Sequence, residues 1–304
     1  MIAFIVRRLA ISVPVILLIA TTTFFIMRLA PGGPFMSEKG IPPEIQANLQ
    51  AKYGLDQPLI VQYGRYLRSL MQFDLGPSYK YPERTVNQII REGFPVSLQL
   101  GLAALIFALL VGIPGGVVSA MKHRGFVDHL TMGVVLIGIS VPSFVLGPLL
   151  VLVFSLTLYW FPPALWGSLR QMVLPTVTLG MIYAVYITRL TRAEMLEVLQ
   201  KDYIRTARAK GVGEFRVLCK HALSGALLPV VSFLGPAVAD LLTGAIVVEK
   251  IFAIPGLGRY FVDSAFNRDY TMVMGTVLFY AVLLILANLT VDIAYKFLDP
   301  RVEY

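Results

Sequence analysis

Few residue combinations in this chain could perform covalent chemistry. The sequence contains no G-x-x-x-x-G-K-[ST] phosphate loop, no H-E-x-x-H zinc motif and no G-x-S-x-G nucleophile motif. Cys219 is the single cysteine, which excludes a disulfide framework. The three histidines lack the spacing of metal ligands and are interpreted as ordinary residues near span ends: His123, His129 and His221. The sequence therefore predicts no enzyme, no cofactor and no metal.

Asp240 is the exception among the apolar segments, because it is an ionisable group inside a predicted membrane span. Such groups are costly in a bilayer and face a partner helix or an aqueous path. We favour pairing with a neighbouring helix or the outer interface over a substrate contact, and both interpretations stay open.

The most basic stretch of the chain lies between two long apolar segments, at residues 189–229. It holds eight of the 26 Lys and Arg residues. Asp202 is expected to cap a short helix that begins at Tyr203, and Gly211 is expected to end it in the left-handed conformation. An apolar face is predicted for Tyr203, Ile204 and Ala207, and Arg205, Arg208 and Lys210 spread over the rest.

A second helix is predicted to start near Glu214. Apolar residues follow at helical spacing: Phe215, Leu218, Ala222 and Leu223. From periodicity and charge alone, this basic element could equally well be an amphipathic helix that lies on anionic lipid.

The composition places these residues in a multi-span membrane protein. The chain has 304 residues, of which 57% are hydrophobic and only 14% are charged, outside the range of a soluble domain. The net charge of +8 does not predict nucleic-acid binding, because the cations cluster at span ends.

Six spans are predicted, near residues 9–27, 93–121, 130–158, 171–188, 222–248 and 271–293. The first uncharged run is too long for a cleaved signal peptide, and Ala30-Pro31 is a poor cleavage site. One span is chosen for 130–158, because two would put the basic stretch outside. The short inner segments and the termini then hold 14 Lys and Arg against four in the short outer loops, so both termini are predicted to be cytoplasmic.

Two further patterns concern packing rather than chemistry. The polar segment 31–94 is predicted to carry three helices. The first starts at Pro43 and ends at Gly54, the second covers Leu59–Leu70, and the third is capped by Thr85. Gly112-Ile-Pro-Gly-Gly116 is a small-xxx-small pattern, which is typical of close helix contact.

Several stretches resemble one family. Tyr203-Ile-Arg-Thr-Ala-Arg-Ala-Lys-Gly211, His221-Ala-Leu and Leu228-Pro229 are similar to the cytoplasmic loop of type I ABC-importer permeases. The generic loop opens Glu-Ala-Ala, and this one has Arg205-Thr206-Ala207, so the Glu-mediated contacts are not carried over. Further stretches resemble the dipeptide and oligopeptide permease B subunits, closest to the oligopeptide member: Arg28-Leu-Ala-Pro-Gly-Gly-Pro34, Tyr53-Gly-Leu-Asp-Gln-Pro-Leu59, Asp74-Leu-Gly-Pro-Ser78, Glu249-Lys-Ile-Phe-Ala-Ile-Pro-Gly-Leu-Gly258 and Asp299-Pro-Arg301.

The resemblance implies an all-α polytopic membrane protein of the type I ABC importer permease fold, with a helical periplasmic segment after the first span. It implies an N-terminal span and periplasmic segment (1–94), a permease domain (95–294) with a coupling loop (189–229), and a cytoplasmic tail (295–304).

Oligopeptide import through a bacterial inner membrane would follow from this family. The implied partners are a second homologous permease, two cytosolic ABC ATPase subunits, an external peptide-binding protein and membrane lipid, with no nucleic acid. A permease for dipeptides, glutathione or nickel, or a structural assembly subunit, stays open as an alternative.

The same resemblance suggests roles for particular residues. The apolar face of the short helix would be buried against the ATPase, and the expected coupling residues are Tyr203, Arg205, Ala207, Arg208, Lys210, Gly211 and Phe215. Asp240 and Glu249 are the candidates for a pathway or gate.

Overall fold

The computed structural model describes residues 2–30, 33–35, 43–81 and 83–298. Over these ranges the chain is helical and forms no strand, with one isolated bridge between Pro77 and Thr85. The helices are α1 (Ile2–Leu29), α2 (Pro43–Lys52), α3 (Leu59–Met71), α4 (Val86–Met121), α5 (Phe126–Ser140), α6 (Ser143–Leu150), α7 (Leu169–Val198), α8 (Asp202–Ala209), α9 (Glu214–Arg216), α10 (Leu223–Ala226), α11 (Leu228–Ile251), α12 (Leu257–Asn267) and α13 (Tyr270–Leu298). Two π-helical segments, Val151–Thr157 and Val217–Ala222, extend α6 and join α9 to α10.

Among the residues that the structure describes, four helices are long and apolar enough to cross a membrane: α1, α4, α7 and α13. Two bent pairs, Phe126–Ser140 with Ser143–Thr157 and Glu214–Ala226 with Leu228–Leu241, raise the number to six if each pair is one span. The predicted six-span, all-α architecture agrees with this arrangement over the described residues.

The predicted span near 130–158 is bent rather than one straight helix. The chain turns by 109° between α5 and the segment Ser143–Thr157. Pro142 explains the break, because the residue before a proline is pushed out of the α conformation, and Val141 is extended (φ −95°, ψ 111°). The predicted fifth span, from about Ala222, is also bent: an angle of 53° separates Glu214–Ala226 from Leu228–Leu241.

The described residues divide into two compact units. The first comprises the N-terminal residues up to Pro95 together with Gly256–Ile285, and the second comprises Val96–Pro255 and the residues from Leu286 onward. The domain limits 1–94, 95–294 and 295–304 stay a prediction, and the Asp299-Pro-Arg301 stretch lies outside the described residues.

The first unit contains the predicted outer helices. Pro43 starts α2, Gly54 follows it with a positive φ of 63°, and α3 covers the second predicted helix. Thr85 caps as expected: its Oγ1 accepts from the Gln88 amide (3.2 Å), and the Gln88 side chain accepts from the Thr85 amide (3.0 Å). The third helix is not separate, because α4 continues from Val86 through to Met121 without a break.

Asp269 organises the start of α13 within the first unit. This fully buried carboxylate accepts hydrogen bonds from the Tyr79 amide (3.2 Å), the Met272 amide (3.2 Å) and the Ser78 hydroxyl. Thr271 donates its hydroxyl to the Pro77 carbonyl at 2.6 Å. The aspartate thus caps α13 and fixes the 77–81 loop against it.

The core of the second unit lies among α4, α7 and α11. Its buried residues include Leu100, Ala104, Ile187, Leu241 and Val248. The predicted small-residue contact is confirmed, because a Cβ at position 112 would lie 2.7 Å from Ile187, and one at position 116 would lie 2.6 Å from Thr191. These glycines let α4 and α7 approach closely.

Candidate functional site

The short basic helix exists, but it begins one residue earlier than predicted. α8 starts at Asp202, Lys201 occupies the capping position in an extended conformation (ψ 148°), and no side chain caps the helix. The capping role predicted for Asp202 is therefore wrong. Its carboxylate lies in the first turn, where its negative charge interacts favourably with the positive end of the helix dipole.

Ile204 attaches α8 to the rest of the second unit. Its side chain is fully buried in a cluster with Met195 and Val198 of α7 and with Val217 and Ala222 of the following segment. Because of this, Ile204 is not available to another subunit, and the expectation that the entire apolar face of α8 contacts the ATPase is wrong for this residue. Amphipathic spacing identifies the face but does not tell which molecule covers it.

Gly211 ends α8 as predicted, in the left-handed conformation with a φ of 77°. The Gly211 amide bonds the Arg208 carbonyl (2.9 Å), and the Val212 amide bonds the Ala207 carbonyl (3.2 Å). Since a Cβ at 211 would meet nothing within 4 Å, the requirement for glycine is conformational rather than steric.

Arg208 closes the turn that follows α8. Its guanidinium donates two hydrogen bonds to Glu214, at 3.1 Å from Nε and 2.6 Å from Nη2. A bidentate pair of this kind fixes relative orientation as well as charge. Arg208 therefore acts within this chain, together with the half-buried Ala207 and with Gly211.

Six of the seven predicted coupling residues are exposed, all except Ala207. We leave out Arg208, which pairs with Glu214, and Gly211, which has no side chain. The remaining four are called the α8 surface: Tyr203, Arg205, Lys210 and Phe215. Tyr203 is 47% exposed and Phe215 is 81% exposed. Among the next residues, Leu218 and Ala222 are buried and Leu223 is partly buried, as predicted, although the segment alternates between α and π geometry. The α8 surface thus presents two aromatic rings and two cations, while the opposite side of α8 packs against the rest of the second unit.

Asp240 lies at the middle of α11 and pairs with a neighbouring helix. Its Oδ2 accepts a hydrogen bond from the Tyr183 hydroxyl of α7 at 2.6 Å. Asp240 nevertheless remains exposed on the surface of the chain. In the C-terminal half of α7 and near the start of α11, the rings of Tyr186 and Phe233 lie 5.8 Å apart and border a cavity of about 490 Å³ that Arg189 also lines.

Glu249 differs from Asp240, because it is only 1% exposed. Its Oε1 accepts a hydrogen bond from the Ser97 hydroxyl of α4 at 2.6 Å. The structure therefore does not bring the two acidic candidates to one exposed face.

An acidic residue that the sequence did not single out holds the α4–α5 turn against α7. Asp128 is 4% exposed and accepts from Arg192 at 2.7 and 2.8 Å, from the Ser119 hydroxyl at 2.5 Å and from the Arg124 amide at 2.8 Å. The sequence did contain a signal for this pair: Asp128 lies at the start of one predicted span, and Arg192 lies near the end of another.

Solved structures show which fold this arrangement represents. The chain matches two crystal forms of the inward-facing MetNI methionine ABC transporter, with TM-scores of 0.59 and 0.58. The matches cover 70% of this chain and 97% of the other, at 18% and 20% identity. This likeness shows the fold, which is that of a type I ABC importer permease.

Sequence comparison gives the family. Residues 112–304 match the binding-protein-dependent transport system inner membrane component, and residues 1–101 match the N-terminal part of such components. The dipeptide transport system permease protein DppB of Bacillus subtilis is 48% identical, over 99% of this chain and 97% of the relative. The oligopeptide transport system permease protein OppB of Salmonella typhimurium is 45% identical over the full length of both chains. The chain belongs to the family of binding-protein-dependent transport system inner membrane components, and it is a multi-pass inner membrane protein.

Proposed function

We propose that this chain is a membrane-spanning permease subunit of an ATP-driven, binding-protein-dependent importer of oligopeptides, in which it forms half of the translocation pathway. Full-length relatives named as oligopeptide and dipeptide permeases support the substrate class. The chain would work with a second homologous permease, two cytosolic ATPase subunits, an external peptide-binding protein and surrounding lipid. ATP would be hydrolysed by the partner subunits, and both termini would lie in the cytoplasm.

The α8 surface is the proposed docking site for an ATPase subunit. The observation that carries this assignment is the contrast between the fully buried Ile204 of α8 and the exposed rings of Tyr203 on α8 and Phe215 on α9. Exposed aromatic residues are frequent anchors at protein interfaces. Because the base of α8 packs against α7 and the segment before α11, displacement of the surface would move the spans as a rigid body.

Asp240 is proposed to line the pathway or to face the second permease. A carboxylate at mid-span that faces lipid is costly, so an exposed one is expected to contact protein or water. Tyr183, Tyr186 and Phe233 lie along the same two helices, and we assign this stripe to the pathway. Glu249 is proposed to stabilise the outer end of α11 from its buried position.

The direct test is peptide import by a reconstituted complex. The tagged chain is purified with its co-expressed subunits and placed in proteoliposomes, and uptake of labelled trialanine and pentaalanine is measured with ATP and the binding protein. We expect ATP-dependent uptake that requires this chain. A complex that hydrolyses ATP but imports neither peptide would contradict the proposal.

A further inference from the structure

A small cavity in the first unit carries polar chemistry that the proposed function has not used. It measures about 130 Å³ and lies among the C-terminal part of α1, the helix α3, the loop 74–79 and the start of α13. Its lining includes two arginines, Arg28 and Arg65, beside the aromatic rings of Phe24 and Tyr53.

Three buried polar atoms of this lining have no hydrogen-bond partner among the described residues: Arg28 Nε, Gln62 Oε1 and the Tyr66 hydroxyl oxygen. A buried polar group without a hydrogen bond is destabilising, so such groups are rare in folded proteins. Three of them around one cavity are therefore unusual, and they indicate a site that takes a polar molecule.

The orientation of Gln62 is fixed by its own bonds. Its Nε2 donates to the carbonyl oxygens of Leu55 (3.1 Å) and Gln57 (2.8 Å). The flipped amide would place Oε1 against two other oxygens, so Oε1 must be the atom left to accept. The side chain is 8% exposed, which makes it a buried acceptor at the cavity wall.

The donors at the wall are held in a donating state. Burial raises the pKa of Tyr66 to about 12, so its hydroxyl keeps its proton. The Arg28 guanidinium lies over the rings of Phe24 (5.2 Å) and Tyr270 (5.8 Å). Within the described ranges neither Arg28 nor Arg65 forms an ion pair.

The charged side chains that line the cavity favour a ligand with an anionic group next to a neutral hydrogen-bond donor. Two guanidinium groups outnumber the one lining carboxylate, Asp74, which already accepts from the Gly76 amide at 2.9 Å. Carboxylate and phosphate oxygens are the acceptors that arginine donors bind strongly, and a peptide supplies the carboxylate. Gln62 Oε1 suits an amide N–H beside that carboxylate, and the C-terminal residue of a peptide carries both groups.

We propose that this cavity binds the C-terminal residue of a peptide, with the terminal carboxylate on Arg28, Arg65 and Tyr66 and the preceding amide N–H on Gln62. The identity of the peptide as transported cargo rests on the proposed function; the preference for a carboxylate follows from the side chains alone. The volume matches one small side chain, since an engineered cavity of about 150 Å³ holds benzene.

The test measures binding of trialanine and trialaninamide to the full-length chain in nanodiscs. We expect the acid to bind roughly tenfold or more tightly than the amide, as charge-assisted hydrogen bonds require. Arg65→Gln, at an exposed position, should remove that preference, and Tyr66→Phe, which deletes one hydroxyl, should reduce it. Arg68→Gln is the matched control, because Arg68 lies on α3 but does not line the cavity.

Two results would overturn the assignment. One is equal binding of acid and amide, and the other is an equal loss in Arg68→Gln. Acetate that displaces trialanine at equal concentration would show a site for small carboxylates and contradict the peptide assignment. Import of trialanine by the complex, with no acid preference in the chain, would overturn the cavity proposal and leave the proposed function standing. Acid preference without import by the complex would overturn only the proposed function.

Discussion

At the scale of single residues, the side chains of α8 and the turn after it separate into two groups. Ile204 and Ala207 pack inside the chain, and Arg208 pairs with Glu214. Tyr203 and Phe215 are exposed. The buried Ile204 cannot contact another protein, so the exposed rings of Tyr203 and Phe215 should contribute most to affinity for an ATPase subunit.

Tyr203→Ala and Phe215→Ala are each expected to weaken binding of the ATPase subunit by about fivefold to tenfold. Removal of an aromatic anchor often costs over about 1 kcal/mol at an interface. Binding is measured by surface capture of the detergent-solubilised permease pair. Phe266→Ala is the control, because Phe266 is 83% exposed but lies on α12 in the other unit. Equal losses in all three variants would contradict docking at the α8 surface.

Asp240→Asn is expected to lower peptide uptake by roughly tenfold while the complex still assembles. The substitution removes the charge that the pathway assignment requires but keeps the side-chain volume. Uptake is measured in proteoliposomes, with Asp56→Asn, an exposed position outside the spans, as the matched change. Unchanged uptake of several peptides would contradict a role in the pathway and favour a packing role for Asp240.

At the scale of elements, the turn after α8 depends on backbone conformation. Gly211→Val would force a β-branched residue to a φ of 77°, at a cost of about 1–3 kcal/mol. We expect lower stimulation of ATP hydrolysis by the loaded binding protein, with membrane insertion unchanged. Gly213→Val is the matched control, because Gly213 has a φ of −59° and equally open surroundings.

The lipid-surface alternative makes a different prediction for the same element. If α8 lay on anionic lipid, the charges of Arg205, Arg208 and Lys210 would matter together and Gly211 would matter little. The triple change of these residues to Gln is therefore measured beside Gly211→Val, in vesicles with and without anionic lipid. The docking interpretation is wrong if Gly211→Val leaves the stimulation of ATP hydrolysis unchanged and the triple variant loses it only in vesicles with anionic lipid.

The sequence predicted some elements better than others, for physical reasons. Gly211 and Thr85 were identifiable because a left-handed exit and a helix cap each require few residue types. The bend at Pro142 was missed because an unbroken apolar run conceals a change of direction. Ile204 was assigned to the wrong partner, and the bonds of Asp128 were invisible, because both depend on residues distant in sequence.

At the scale of the whole molecule, charge asymmetry predicts how the chain is inserted. Reporter fusions at Asn48, Gly125, Ala164, Gly213 and Asn267 are expected to read out, in, out, in and out. The expectation follows from the concentration of Lys and Arg in the short inner segments. Alkaline phosphatase and green fluorescent protein activities check it. An inside signal at Asn267 would contradict six spans with both termini in the cytoplasm.

The division of α8 also sets separate evolutionary constraints on neighbouring positions. Substitutions at Ile204 must be compensated inside this polypeptide, at Met195 or Val198. Substitutions at Tyr203 and Phe215 can be compensated in a different gene. Grafting only the exposed side chains of a related permease onto α8 should therefore transfer its choice of ATPase, whereas exchange of the whole helix should also disturb the fold. Transporters that share an ATPase should accordingly resemble one another at these exposed positions more than at the buried one.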